Sequence, residues 1–382
     1  MKSLRVIRDF EQLGEIKQYN SILLAHRYHT VGEVDLNINF YSPNAELIEK
    51  NSLIRFDGRN DRVYQIKHKE IGLDELGKAS ENWTIKAFPL KAFLMQRITY
   101  PPSHTAYDNK SGSAETVMKH YVERNFITPD DPNRVFPNLV IAPDQERGPN
   151  VSWQSRFKNV AEELTEISLA SGLGWEIYLD IPNQRYVFDV VQPSDRTMSQ
   201  SVLPPVRFEP TLKTIAAMQY TTSDLNYKNF AYVAGPGEGI ERIVKGVGTS
   251  TGANRYELFI DARDVPDQTN DDPPLPRPLV DIETDLEIRG LRELEKMIQE
   301  QYLEAQILTK SQLIYETDYF LGDIVTVRNK NWNVGLDARI TELLEVHESG
   351  GYKISATFGN NMPTLIDKIK LQFQQISGEV RK

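Results

Sequence analysis

The chain has 382 residues, 40% hydrophobic and 26% charged, which is ample for several packed cores and ordinary for a globular protein. Its formal net charge of −10 argues against a surface that grips nucleic acid, where a basic stripe is expected, and with no cysteine it has neither a disulfide framework nor a thiolate metal site. The start holds no apolar core of signal-peptide length and no later run approaches membrane-spanning length, so the expectation is a soluble protein with no secretory address and no membrane segment.

Up to about Pro101, period-two apolar spacing predicts short strands over residues 21–28, 32–40, 53–56, 62–67 and 83–88. No strong helix pattern interrupts them, which predicts a barrel or sandwich. His26 and His29 are spaced like some metal pairs, yet on a strand that spacing points the rings to opposite faces, and no acid completes a site. Residues 57–61, Asp-Gly-Arg-Asn-Asp, lack the carboxylate density of a calcium loop and read as a hairpin turn.

A hinge at residues 100–112 leads into an α/β pattern. Ser113 is placed to cap a helix carrying Val117, Met118, Tyr121 and Val122. A second helix is predicted from Trp153 to about Ser171, with Phe157, Val160, Ala161, Leu164, Ile167 and Ser168 on one face. It stops at Gly172-Leu-Gly174, a glycine C-cap, before strands over 175–180 and 185–191.

Residues 233–265 are the densest in special residue types: a strand over 230–234, the turn Gly235-Pro-Gly237-Glu238-Gly239, a strand over 240–247, a second glycine turn and a strand over 255–260. A meander is the simplest fold for it. The alternating glycines open no helix, so neither the P-loop nor the dinucleotide fingerprint is present. Among Glu238, Glu241, Arg242, Arg255, Glu257, Asp261, Arg263 and Asp264, acids and bases are interleaved. That arrangement favours structural ion pairs over a glycosidase acid and nucleophile, because basic neighbours keep carboxylates ionised.

Prolines 266, 273, 274, 276 and 278 make a stiff, exposed connector, read as a linker in preference to a docking site for a proline-reading partner. A long amphipathic helix is predicted over 281–309, with Leu291, Leu294, Ile298, Tyr302 and Ala305 facing a sheet and Gly290 marking close packing. Strands over 323–328, 338–346 and 352–358 close the pattern, and their likeness to residues 64–88 is a weak internal repeat that suggests two related barrels. The expected fold is α+β, mainly β: a first β-barrel over 1–103, an α/β domain over 104–203, a second β-barrel over 204–264 with 311–362, a connector and helix over 265–310 inserted in it, and a C-terminal tail over 363–382.

Gly235 to Arg242, as Gly-x-Gly-Glu-Gly-x-x-Arg, then Arg255-Tyr-Glu-Leu-Phe-Ile-Asp-Ala-Arg-Asp264, and the earlier helix-Gly-Leu-Gly-Trp-strand unit, together resemble the siphophage minor structural protein, or tail-hub, family. That family is similar to the N-terminal part of tail-associated lysins and to the baseplate hub of contractile tails. The resemblance implies tail-tube-like barrels and a homotrimeric ring that adapts a hexameric tail end to a three-fold tip around a DNA channel, where DNA only passes and an acidic wall would suit its sliding. It further implies a place at the virion tail tip or baseplate after assembly in the bacterial cytoplasm. The implied neighbours are a distal tail protein ring, the tape-measure protein and a separate receptor-binding or tip protein. Many relatives continue into a peptidase or glycan-binding domain, so wall digestion is expected from another chain. No enzyme activity, cofactor, metal or catalytic residue is expected. Gly235, Gly237, Glu238, Gly239, Arg242, Glu257, Asp261 and Arg263 are expected to be structural. The alternatives are a glycosidase using acids such as Glu238 and Asp261, or a carbohydrate-binding module using exposed Trp or Tyr.

Overall fold

The computed structural model describes residues 2–73, 77, 80–269 and 273–359. They fall into two compact units, residues 2–219 with 304–359, and residues 220–303.

The larger unit begins with β1 (Leu4–Arg8), β2 (Glu11–Ile16), β3 (Ser21–Arg27), β4 (Glu33–Asn39), β5 (Leu53–Phe56), β6 (Val63–Glu70) and β7 (Asn82–Pro89). Alternation drives them: in β4 Val34, Leu36 and Ile38 are buried while the residues between them are only partly covered. They pair antiparallel in the order β3-β4-β7-β6-β5-β1-β2, and Leu4, Ile22, Leu36, Phe56, Ile66 and Ile85 share one core. Residues 57–61 turn the β5–β6 hairpin, with the Phe56 N–H donating to the Arg62 carbonyl at 2.9 Å.

The α/β part contains β8 (Asp108–Ser113), α1 (Ala114–Val122), β9 (Leu139–Ile141), β10 (Asn150–Ser155), α2 (Val160–Ser171), β11 (Gly174–Asp180) and β12 (Arg185–Val191). Ser113 caps α1, accepting from the Thr116 N–H at 3.2 Å. The second helix starts later than the sequence suggests. Trp153 lies on β10, opposite Lys110 of β8, Phe157 turns the chain at φ 53°, and the helix begins only after Asn159, whose side chain accepts from the Ala161 N–H. Strand pairing with β8 overrides the helical spacing there. Gly172 ends α2 at φ 75°. Gly174 answers to Tyr28, since a Cβ at that position would lie 2.5 Å from the ring. The Tyr28 hydroxyl reaches the Gly172 and Val191 carbonyls at 3.2 and 3.1 Å, fastening the end of β3 to the core around Tyr121, Leu164, Trp175 and Phe188.

After β13 (Asp195–Arg196) and β14 (Arg207–Phe208), β15 (Ile215–Ser223) carries the chain out of the larger unit. The smaller unit holds β16 (Phe230–Ala234), β17 (Val244–Val247), β18 (Glu257–Asp261) and α3 (Leu279–Glu295). Then β19 (Glu300–Ile307) leads back, followed by β20 (Ile324–Asn329), β21 (Val334–Glu348) and β22 (Gly351–Gly359).

The expected pair of separate barrels is absent among the described residues: no ladder closes on itself, and the first and last strands belong to one 14-stranded sheet, joined where β21 pairs antiparallel with β3. The cause lies in β21. Its first part pairs with β20 up to Arg339, a register shift follows between Ile340 and Glu342, and from Glu342 onward the same edge takes β3 as partner while β22 holds the other side. The ranges 204–264 and 311–362 therefore do not form one barrel, since residues 230–261 build the smaller unit's sheet. The expected C-terminal tail, 363–382, lies outside the described residues.

The smaller unit's sheet has the order β17-β16-β18. β17 is antiparallel to β16 and β18 parallel to it, so the expected meander is corrected. A tight hairpin needs about two to five loop residues, whereas residues 248–256 give the chain length to cross to the far side of β16. The long helix also ends earlier than its sequence period implies. α3 stops at Glu295 and residues 300–307 form a strand, where Leu303, Ala305 and Ile307 alternate into the interior. The buried stripe of α3 is Ile282, Leu286 and Gly290, so Leu291 and Ile298, assigned inward from sequence, are exposed.

Gly290 packs as its position suggests: a Cβ would meet Val247 Cγ2 at 2.7 Å and Val233 Cγ2 at 2.9 Å. Gly290→Ala gains about 1 kcal/mol of helix propensity against an overpacking cost of about 1–3 kcal/mol. A net loss of stability is expected in thermal unfolding, and a raised midpoint would contradict the close approach.

Candidate functional site

Two constellations stand out, one in each unit. In the larger unit, Glu345 of β21 is buried at 2% exposure beside the β21–β3 seam. Arg62, just before β6 and 3% exposed, donates from Nη2 to Glu345 Oε1 at 2.7 Å and to Glu316 Oε1 at 2.5 Å. Its guanidinium also stands over the Phe56 and Tyr315 rings at 5.8 and 5.6 Å. The Tyr352 hydroxyl of β22 donates to Glu345 Oε2 at 3.1 Å, while His26 Nε2 of β3 and His347 Nε2 lie 3.0 and 3.4 Å from the carboxylate. Glu316 also binds Arg59. Burial alone pushes the Glu345 carboxyl up. The His26 and His347 contacts and the Arg62 charge outweigh it and hold the group well below the usual carboxylate range. Burial drives Tyr64 and Tyr315 well above the ordinary phenol range, against the pull of Arg62.

This cluster borders a cavity of about 570 Å³ walled by Ile307, Leu313, Ile354, Tyr315, Tyr319 and Tyr352. The acids on its wall are already engaged, Glu316 and Glu345 as above and Glu348 by Lys353 at 2.8 Å. The arrangement has the chemistry of a tie between strands. The two histidines weighed as a metal pair have different partners: His26 goes to Glu345, and His29 Nδ1 meets Ser168 Oγ at 2.6 Å. Because that hydroxyl donates to the Leu173 carbonyl, His29 is the donor to it, and burial pushes its pKa down to about 3.

In the smaller unit, the motif read from the sequence surrounds one end of the three-stranded sheet. Gly237, at φ 98°, lets the backbone fold onto itself, since a Cβ would lie 2.7 Å from the Glu241 carbonyl. Gly235 is buried, and a Cβ on it would stand 3.0 Å from Leu286 of α3. Arg242 spans the turn: it donates to the Gly235 carbonyl at 3.0 Å, the Ala234 carbonyl at 2.8 Å and Asp261 Oδ1 at 2.6 Å. Asp261 also meets Arg263 at 3.6 Å, and Glu257 pairs with Arg255 at 2.7 Å. Glu238 and Gly239 are exposed on the turn. The structure thus brings Arg242, Asp261 and Arg263 together and seats Glu257 beside Arg255. Asp261 serves as the anion of an ion pair.

Two solved structures share this architecture over nearly their whole length. The prophage MuSo2 43 kDa tail protein from Shewanella oneidensis superposes with a TM-score of 0.54 at 12% identity, covering 93% of this chain and 98% of that one. The tail protein from Neisseria meningitidis MC58 gives 0.52 at 12% identity, covering 94% and 97%. At such identity the likeness speaks for the fold alone, and that fold is the one these phage tail proteins have. A family model, Siphovirus ReqiPepy6 Gp37-like protein, matches residues 7–360, and the chain belongs to that family. No curated protein matches it.

The Glu345 cluster left little trace in the sequence, since an acid and a histidine on a strand read as solvent-facing until the strand's partners are known. Its weight is measurable: Arg62→Met strands a buried carboxylate and is expected to cost about 3–5 kcal/mol in chemical denaturation, with Arg62→Met/Glu345→Leu recovering much of it; a neutral single variant would contradict the tie. Arg242→Glu faces Asp261 with a like charge and removes three hydrogen bonds. A loss of about 2 kcal/mol or more is expected, read by thermal unfolding, and unchanged unfolding would deny Arg242 its structural role.

Proposed function

We propose that the chain is the structural hub of a phage tail tip or baseplate, working as a homotrimeric ring that adapts the hexameric tail end to a three-fold tip and surrounds the passage for DNA. The observation that carries this is the β21–β3 seam. One chain sets an N-terminal and a C-terminal group of strands side by side in a single sheet, so three chains bring six such groups around one axis. Among the described residues the sheet path ends on β2 at one side and β15 at the other. Unpaired edges of this kind are a hazard in a lone chain and a joining surface in a ring. Family membership and the tail-protein fold support the same reading. In it the distal tail protein ring, the tape-measure protein and a separate tip protein are the neighbours, the virion tail tip is the location, and the net charge of −10 suits a wall past which DNA slides. Gly235, Gly237, Glu238, Gly239, Arg242, Glu257, Asp261 and Arg263 shape and lock the smaller unit and carry no chemistry.

Native mass spectrometry over a range of concentrations tests the reading. A trimer is expected, alone or on addition of the adjacent ring protein. A chain that stays monomeric under both conditions would remove the basis for a hub.

A further inference from the structure

The two units carry charge unequally. Residues 220–303 hold 16 acids and 9 bases, a net −7 of the chain's −10. Two of those acids stand at the tip of the glycine-rich turn, on either side of Ile240, which is fully exposed. Glu238 and Glu241 make no ion pair among the described residues, and the cations beside them, Arg242 and Arg263, are taken by Asp261. Only its own chain neighbours lie within 4 Å of a Cβ built at Gly239, so the tip stands clear. Below it, Arg242 clamps the Ala234 and Gly235 carbonyls and holds the tip in one shape.

The larger unit has the converse surface. Residues 97–100 run antiparallel to 157–159, with the Thr99 N–H donating to the Lys158 carbonyl at 2.7 Å and the Phe157 N–H to the Thr99 carbonyl at 2.8 Å. Thr99 is buried, and alternation turns Ile98 and Tyr100 outward at 44% and 50% exposure. Phe157, 49% exposed, sets its ring 5.6 Å from that of Tyr100. Three arginines surround this patch. Arg97 donates to the Arg134 carbonyl at 3.3 Å, Arg134 donates to the Ile98 carbonyl at 2.6 Å and lies over the Tyr100 ring, and Arg156 lies over the Phe157 ring at 5.1 Å. None of the three has a carboxylate within ion-pair distance among the described residues. The neighbouring acids are engaged elsewhere: Asp130 with Arg124, Glu163 with Lys158, and Asp131 with the Asn133 N–H. Burial, then the charge of Arg97, lowers the Arg134 pKa against the pull of Asp131 and Asp130.

We propose that the tip at residues 238–241 of one copy seats on the Ile98, Tyr100 and Phe157 patch of another copy, with Ile240 against the rings and the two carboxylates among Arg97, Arg134 and Arg156. Both halves are on the one chain and both are uncovered, and each charge gains a partner that its own chain does not give it. Exposed Tyr and Arg side by side are also the residue types in which interface energy concentrates. Tip against tip would oppose the acids, and patch against patch would oppose the arginines. The contact therefore joins unlike surfaces head to tail, the class of contact that a three-fold ring requires. The proposal rests on the trimeric reading above and deepens it by naming the groups that meet.

The cysteine-free chain makes the test direct. The full-length variant Ile98→Cys/Ile240→Cys is treated with a short bis-maleimide at a concentration where native mass spectrometry shows the trimer. Bands of two and three linked chains are expected on denaturing electrophoresis, and neither single-cysteine variant should give them. Linkage by either single variant would overturn the contact in favour of like surfaces meeting. A trimer that the double variant fails to link between chains would overturn this contact and leave the ring standing. A ladder running past three chains would uphold the contact and overturn the ring, and a chain monomeric alone and with the adjacent ring protein would overturn both. As an independent variant, Glu238→Lys/Glu241→Lys changes only exposed, unpaired side chains, so thermal unfolding of the single chain should match the parent. The concentration for half-dissociation is expected to rise about tenfold or more, and the weakening of the parent trimer by added salt should be lost; unaltered dissociation would overturn the proposal.

Discussion

The ion pair between Arg62 and Glu345 is the constraint on which the larger unit depends. A buried carboxylate is tolerated only where a cation and hydrogen-bond donors surround it, and here they come from separate parts of the chain: Arg62 just before β6 and the Tyr352 hydroxyl of β22 donate to it, with His26 of β3 standing 3.0 Å away. Those strands must be neighbours before the charge is satisfied, so the cluster selects one arrangement of the sheet among the many that apolar alternation alone would allow. Just beyond it, Tyr28 locks the end of β3 to the α/β core through the Gly172 and Val191 carbonyls, and Trp175 donates its indole N–H to the His29 carbonyl at 2.9 Å. β3 thus meets C-terminal strands along one edge, N-terminal strands along the other and helices at its end.

Local signals in the sequence were legible where local physics decides. The strands near residues 21–28, 32–40, 53–56 and 83–88, the Ser113 cap, the Gly172 stop and the close packing at Gly290 all follow from short-range geometry. Legibility failed where a distant partner chose between two local possibilities. In β21, continuing the alternation from Ile340 would put Leu344 and Val346 inside, but the register shift after Ile340 reverses the faces and buries Leu343, Glu345 and His347 instead. Residues 300–307 carry an apolar set that fits both a helix and a strand, and their place in the sheet decides for the strand. Trp153 was misassigned for the same reason, because only β8 shows that its segment is extended.

The glycine-rich motif illustrates a related point. Its residue types were visible at once, and so was the lack of a phosphate-binding pattern, but their use depends on β18 lying parallel to β16. That placement delivers Asp261 to Arg242, which holds the turn carbonyls. A meander would have put β18 beside β17, away from β16. One arginine then does the work of a capping element for this three-stranded sheet, and Gly237 is there because the backbone passes too close for a side chain, Gly235 because Leu286 packs against it.

The join between β21 and β3 also sets a schedule for the newborn chain. Arg27 and Glu342, bonded across it, are 315 residues apart, and at roughly 5–20 residues per second of synthesis that separation lasts roughly 15–60 s. The N-terminal strands have a core of their own and the means to fold early, but during that interval one edge of β3 has no strand to pair with and Arg62 has no Glu345. An open strand edge is a template for any other extended chain nearby. For this protein, the period of greatest exposure to misassembly is therefore a property of translation speed, and it ends only when β21 leaves the ribosome.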